Sequence, residues 1–257
     1  ELLQGRYAAF SGNLYHRDTV AIHIAEARAF VENQPAFYDL IQLALLDSWG
    51  ASAAGSYALG ENYLYTVEGL KTFLDKLAPG GYLSVTLGTK VPPRDTLKLL
   101  ATAIEALKKL GVQSPEEQLI VLRSWQKSTL LVKNGLITDR EITRTLSFCE
   151  KRSFDPVYFP GIRPEQSNRR NRVREDYFFL GSQALLSDNA KAFQNDYKFN
   201  IRPATDDRPY FFDFFKWRSL QEIYAALGRG GISLLESGQL ILAVTLMQAI
   251  VASTVLI

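Results

Sequence analysis

The sequence predicts an α/β domain of parallel strands closed by an antiparallel hairpin, then a helical, aromatic-rich extension and a membrane-spanning C-terminal helix. Three observations predict it. Residues 38–87 read as strand, loop, helix, turn and strand, the βαβ order that a parallel sheet requires. Gln118–Arg123 and Thr129–Lys133 are two β-rich runs separated by a short polar turn, an antiparallel hairpin. Leu240–Ile257 (LILAVTLMQAIVASTVLI) runs eighteen residues without a charge, just long enough for a membrane helix.

Taken in order, residues 1–14 read as the tail of a helix. Thr19–Ala25 (TVAIHIA) is rich in β-branched residues and free of breakers, a strand, and Glu26–Val31 is its end turning into a short helix. Pro35 and Phe37 lead into the next strand, Tyr38–Leu45. Residues 47–58 are rich in Gly, Ala and Ser. Ligands sit beyond the carboxyl ends of parallel strands, so the loop Asp47–Gly60 should face a site. Glu61–Leu77 is a helix stopped by Pro79-Gly80-Gly81, and Leu83–Leu87 is the strand that follows. After Pro92-Pro93 a helix covers Asp95–Leu110, with Leu97, Leu100, Ile104 and Leu107 on one face and Gly111 as its stop. Beyond the hairpin, Thr138–Lys151 is a helix with Asp139 and Glu141 in its first turn. Residues 155–175, with Pro156, Pro160 and Pro164, are a loop, and 177–196 is helical again. Asn200–Trp217 joins acidic residues to a dense aromatic cluster. The division is an α/β domain over 1–137, the extension over 138–218, a linker over 219–238 and the start of a membrane region over 239–257.

Composition narrows the chemistry. The chain has 257 residues, 47% of them hydrophobic, and a net charge of +2, which provides no whole-protein footprint for nucleic acid. The single cysteine, Cys149, excludes an internal disulfide framework and a cysteine-based zinc site, and is expected to be packed in or near a helix. His16 and His23 leave little for metal chemistry, and no metal is expected; His23 sits in an apolar run as a structural or site-lining residue. No signal peptide is visible. Arg163–Arg174 contains five arginines, either a solvated loop or a contact for phosphate or anionic lipid. Lys216, Arg218 and Arg229 flank the span on its N-terminal side, which by the positive-inside bias puts the preceding domain in the cytoplasm.

Several short motifs carry a resemblance. Glu26-Ala27-Arg28-Ala29-Phe30, Tyr38-Asp39-Leu40-Ile41, Leu64-Tyr65-Thr66-Val67-Glu68 and Leu77-Ala78-Pro79-Gly80-Gly81 follow one another in the order and spacing seen in spermidine synthases. The βαβ order with its terminal hairpin resembles the Rossmann-like class I fold of S-adenosylmethionine-dependent methyltransferases, to which they belong. The likeness covers about residues 1–135; the first strands, with the Gly-rich loop and the ribose-binding acid, are expected to precede this chain. Thr205-Asp206-Asp207-Arg208-Pro209-Tyr210-Phe211 followed by a hydrophobic span resembles bacterial inner-membrane proteins that carry a spermidine-synthase-like domain.

The resemblance implies S-adenosylmethionine or its decarboxylated form as cosubstrate, with Glu26 accepting from the adenine amine, Ala27 offering its backbone amide, and Gln42 beside them. It implies a small amine or other polar acceptor, Asp47 and Glu68 as catalytic acids, lipid contact through the C-terminal helix, and allows a homodimer. Two positions depart from the family. Ala44 stands where its catalytic aspartate stands, and Leu70 where it has a tyrosine. A primary amine is mostly protonated at neutral pH, so aminopropyl transfer needs a base. Methyl transfer, or a catalytically inactive nucleoside- or polyamine-sensing or scaffold domain, therefore stands beside it. Glu61, Tyr63, Tyr65 and Glu68 divide between packing and substrate contact. Asp206 and Asp207 are either an ion-pair network tying the extension to the first domain or, with Tyr210, Phe211 and Phe212, a pocket for a cationic group.

Overall fold

A computed structural model describes residues 2–44, 60–217 and 237–256, with side chains described over 245–254 in the last stretch. Its centre is a mixed sheet of β1 (Tyr38–Ala44), β2 (Leu77–Gly88), β3 (Leu119–Arg123), β4 (Lys127–Lys133) and β5 (Asp155–Tyr158), in the order β1-β2-β4-β3-β5. β1 and β2 are parallel, with Ile41 opposite Leu83 and Leu43 opposite Val85. β4 pairs antiparallel with β2 and with β3, so the βαβ unit and the hairpin of the sequence reading are both present, but the hairpin does not form the edge of the sheet, because β5 pairs beyond it with β3.

The pleat sorts β1 in two. Ile41 and Leu43 are buried, whereas Leu40, Gln42 and Ala44 are exposed. The buried side joins Leu83, Val85, Leu87, Leu130 and Val132 in one core under two helices, α2 (Val67–Asp75) and α3 (Asp95–Lys109). α3 is buried nearly all round, Thr96, Lys98 and Thr102 included, because the extension covers the side that the sheet does not. Lys98 Nζ donates to the carbonyls of Tyr210 at 3.1 Å and Asp213 at 2.8 Å. The outer side of the sheet is covered in part by α4 (Asp139–Arg152), whose Glu141 accepts from Tyr82 Oη and Lys133 Nζ, each at 2.8 Å. Those bonds outweigh burial, which alone would raise it, and hold the Glu141 carboxyl down at about 2.

Several boundaries are corrected. Thr19–Ala25 is not a strand: it enters no ladder among the described residues, and Ile22 and Ile24 lie exposed. β-branched composition favours a pleated, half-buried surface, and none lies beside this run. Residues 2–13 are turns, followed by a 3₁₀ turn at Leu14–His16, rather than the tail of a helix. The helix placed over Glu61–Leu77 begins at Val67, after a 3₁₀ turn at Tyr63–Tyr65. Pro79-Gly80-Gly81 lies inside β2 at a register shift against β1. Gly80 takes φ +80°, and a Cβ on Gly81 would stand 2.8 Å from the Tyr38 carbonyl, so the two glycines let the strand bend there.

The loop assigned to 155–175 contains β5, which pairs with β3 at the sheet edge, where Pro156 is tolerated. The helix over 177–196 is two, α5 (Tyr177–Leu185) and α6 (Ala190–Asp196). Residues 45–59 and 218–236, which hold the expected site loop with Asp47 and the linker, lie outside the described residues. The C-terminal helix α7 (Ser237–Leu256) has twenty residues and no charged side chain. Among the described residues no helix is long and apolar enough to cross a membrane; the side chains of α7 are described only over residues 245–254.

Candidate functional site: an acidic cleft beside the turn Thr205–Arg208

The first wall of the cleft is α1 (Ala27–Asn33). Glu26 caps this helix: its carboxylate accepts from the backbone N–H of Arg28 at 3.0 Å and of Ala29 at 2.6 Å, the local stabilisation that an N-cap acid supplies. The helical spacing then places Arg28 and Glu32 on one face.

The opposite wall is the 3₁₀ turn ahead of α2. Asn62 caps it through Leu64 N–H at 3.2 Å. Thr66 caps α2, accepting from Gly69 N–H at 3.0 Å, and donates its hydroxyl to Asp206 Oδ1 at 2.7 Å. Gly69 is required here, since a Cβ would stand 2.3 Å from the Tyr63 carbonyl.

The floor comes from the extension. Thr205–Arg208 is a turn closed by Arg208 N–H on Thr205 O at 2.9 Å. It is zipped to the 3₁₀ turn and α2 by Val67 N–H to Ala204 O at 2.8 Å and Asn62 N–H to Pro209 O at 2.7 Å. Asp206 points inward, with both carboxylate oxygens 2.9 Å from Arg28 Nη1. Its backbone N–H donates to Glu68 Oε2 at 3.0 Å, while Glu68 Oε1 meets Lys109 Nζ at 2.8 Å.

These walls enclose a cleft of about 610 Å³ lined by Glu26, Arg28, Glu32, Glu61, Tyr63 and Asp206, among others. Four carboxylates face one guanidinium, which Asp206 already engages. The surplus of negative charge in a concave site favours a cation. Tyr63 Oη donates to Glu61 Oε2 at 3.0 Å, and that bond to a carboxylate raises the Tyr63 hydroxyl above the usual phenol range. Tyr63 therefore stays a neutral donor across the physiological range.

Of the residues singled out from the sequence, the structure brings Glu26, Glu61 and Asp206 to one cleft, with Ala27 at the start of α1 beside them. Gln42 is elsewhere: it lies in a groove of about 510 Å³ on the outer sheet side, with Tyr82, Ser84 and Arg144. Tyr65 is fully buried, its ring 5.0 Å from that of Phe211 and 5.9 Å from that of Phe212. A 3₁₀ turn rotates about 120° per residue, so its neighbour Tyr63, two positions back, faces the cleft in its place. Asp207 is exposed at the tip of the turn and does not line the cleft. Glu68 is a clamp between α2, α3 and the turn. Burial alone would raise its carboxyl, but the bonds from Lys109 and from its backbone partners hold it below the usual carboxylate range, which weakens it as a base.

Arg28, Glu32 and Asn62 complete the cleft and were not assigned a role in sequence. All three left a signal: Arg28 and Glu32 are an i, i+4 pair, and Asn62 is a cap residue two positions before Leu64. Cys149 is buried, as expected of a packed helix residue. No group of His, Cys, Asp and Glu suited to a metal ion occurs among the described residues. No protein-family model matches the chain, and no curated protein matches it.

Proposed function

We propose that this chain is a spermidine-synthase-like domain, with a class I methyltransferase architecture, anchored in a bacterial inner membrane. It binds a cationic amine in the acidic cleft. It takes S-adenosylmethionine or its decarboxylated form as cosubstrate, with Glu26 and Ala27 toward the adenine, and transfers a methyl or aminopropyl group to the amine or another polar acceptor. One observation carries this reading: three acids marked from separate parts of the sequence, Glu26, Glu61 and Asp206, line a single cleft with a carboxylate surplus. An ammonium group there gains charge-assisted hydrogen bonds from Glu61 and Glu32 while Arg28 holds Asp206 in place.

A second reading is a polyamine- or nucleoside-sensing domain without turnover. It is favoured by the state of the acids. Glu68 is held by Lys109, Asp206 by Arg28 and Thr66, and β1 ends in Ala44, so these two carboxylates are engaged in fastening the fold rather than free to take a proton from an ammonium.

Calorimetry on the full chain with putrescine and spermidine, then with S-adenosylmethionine, its decarboxylated form and methylthioadenosine, separates the readings. Polyamine and nucleoside binding with turnover supports the transferase. Binding without turnover leaves the sensor. Absence of any nucleoside binding removes the transferase, and absence of polyamine binding removes the cleft assignment altogether.

Membrane anchoring rests on α7. Every described side chain from Thr245 to Thr254 is exposed, including Leu246, Met247, Ile250 and Val251, so this stretch of the helix presents apolar side chains outward. Twenty residues at 1.5 Å rise give about 30 Å, the thickness of the hydrocarbon core. Lys216 and the arginines that follow it in the sequence support a cytoplasmic domain by the positive-inside bias. Resistance of the full chain to alkaline extraction from membranes is expected; release into the soluble fraction would remove the anchor.

A further inference from the structure

We infer that the arginine run following β5 is a docking surface for the anionic face of a lipid bilayer, an inference that rests on the membrane reading of α7. The run is Asn168-Arg169-Arg170-Asn171-Arg172-Val173-Arg174, four arginines in six residues after Asn168. Its backbone is built around one buried carboxylate. Asp155 is fully buried, and its Oδ1 accepts from the N–H groups of Arg169 and Arg170, each at 2.8 Å, while Oδ2 accepts from Asn171 N–H.

Asn168, at φ +50°, closes the loop on itself. Its Oδ1 accepts from Val173 N–H at 2.8 Å and its Nδ2 donates to Val173 O at 2.9 Å. Arg123, also buried, donates to Asn168 Oδ1 at 2.8 Å and to the Asn171 carbonyl at 2.6 Å. Asn171 Nδ2 donates to Ser153 O at 2.9 Å, which sets the loop against the end of α4, whose last turn carries Lys151 and Arg152.

The consequence is a fixed backbone with cations outward. Arg169, Arg170, Arg172 and Arg174 are all exposed, as are Lys151 and Arg152. Among the described residues the one ion pair the run makes joins Arg170 to Glu150 at 3.8 Å, both on the surface. The Asp155 charge is spent on the loop's own amides and on Arg123, so it does not neutralise the outer arginines. A loop ordered in advance loses little entropy on binding, and guanidinium groups suit bidentate contact with phosphate. A whole-chain charge of +2 gives little long-range attraction for a polynucleotide. A chain tethered by its own helix instead meets the bilayer surface at high effective concentration, where each arginine near anionic headgroups favours the docked state about five-fold.

The test uses the full chain in nanodiscs of phosphatidylcholine alone, or with about 30% phosphatidylglycerol. A fluorophore is placed at the exposed position 175 by Glu175→Cys. Cys149 is buried and burial pushes its thiol up to about 11, so it stays unlabelled. Energy transfer to a dye on the lipid headgroups is expected to rise at least about two-fold with the anionic lipid. It should return to the neutral-lipid value in about 0.5 M NaCl and in R169Q/R172Q/R174Q, whose substitutions leave the Asp155 contacts intact because these are made by backbone amides. Equal transfer in both lipids, or an unchanged response of the triple variant, would overturn the docking surface alone. Failure of the chain to enter nanodiscs would overturn it together with the membrane anchor.

Discussion

Asp155→Asn tests the buried centre that holds the extension to the sheet. The substitution keeps volume and removes one charge. In the native protein three backbone N–H groups converge on the carboxylate, two on Oδ1 and one on Oδ2, and Arg123 Nη2 lies 3.8 Å away. An asparagine can turn its carbonyl oxygen to Arg169 and Arg170, but its NH₂ then faces the N–H of Asn171, donor against donor. One hydrogen bond to a charged acceptor is lost, worth about 1.5–3 kcal/mol. Arg123, itself 1% exposed, loses its counter-charge, although its bonds to Asn168 and Asn171 and the Phe178 ring 4.7 Å away remain. A total near 3 kcal/mol follows, at the lower edge of the range for breaking a buried pair.

The pH dependence gives the reasoning a second, independent reading. Burial alone would raise the Asp155 carboxyl, but the bonds from Arg170, Asn171 and Arg169 hold it below the usual range. A depressed folded pKa contributes stability that is present above the unfolded value of about 3.9 and is lost as pH falls through the folded value. Wild type should therefore lose part of its advantage over D155N below about pH 4. The assay is urea denaturation of the full chain in detergent at neutral and acidic pH, with thermal melting in parallel, where about 3 kcal/mol corresponds to roughly 6–12 °C for a domain of this size. A variant within about 1 kcal/mol of wild type at pH 7, or a gap that stays constant down to pH 3, would refute the account of Asp155 as a charged hub.

Four further outcomes are expected. Glu61→Gln should weaken spermidine binding about five-fold through the loss of one cleft charge, and should lower the Tyr63 titration midpoint in ultraviolet absorbance relative to wild type; calorimetry showing unchanged affinity would place the amine elsewhere. Gly69→Ala should cost about 2–3 kcal/mol in denaturant and weaken amine binding, because its Cβ would lie 2.3 Å from the Tyr63 carbonyl. Gly111→Ala, at φ +83° with open space around it, should cost about 1 kcal/mol and leave binding alone. Lys98→Met should destabilise the chain by about 2–4 kcal/mol, since it strips the donor from two carbonyls of the aromatic segment, and the near-ultraviolet dichroism of that segment should weaken with it.

What the sequence made legible follows from how local each constraint is. The run Tyr38–Ala44 reads locally as a strand, but which of its sides is buried does not, since Leu40 is as apolar as Ile41 and Leu43 and yet lies exposed. The helix start at Thr138, with Asp139 and Glu141 in its first turn, and the stop at Gly111 are equally local, and both are present. The misreadings share a different cause: partners distant in sequence. The pattern of Leu97, Leu100, Ile104 and Leu107 describes one buried face of α3, but the second face is buried by Tyr210–Phe214, more than a hundred positions later. Tyr63 and Tyr65 are alike in composition, and only the tight turn that carries them decides which is wall and which is core. The strand signal of Thr19–Ala25 had no neighbouring strand to realise it. The cleft is the extreme case. Glu26 caps one helix, Glu61 accepts from Tyr63 ahead of another, and Asp206 sits in a turn of the extension and pairs with Arg28; none of these roles needs the other acids. Their convergence comes from the backbone bonds that zip 204–209 to 62–68 and from the Arg28–Asp206 pair. Of the alternatives that the sequence left for Asp206, the ion-pair network is present, and the same carboxylate lines the cleft; the aromatic pocket is not formed as expected, because Phe211 and Phe212 are buried in the core and Asp207 lies off the cleft.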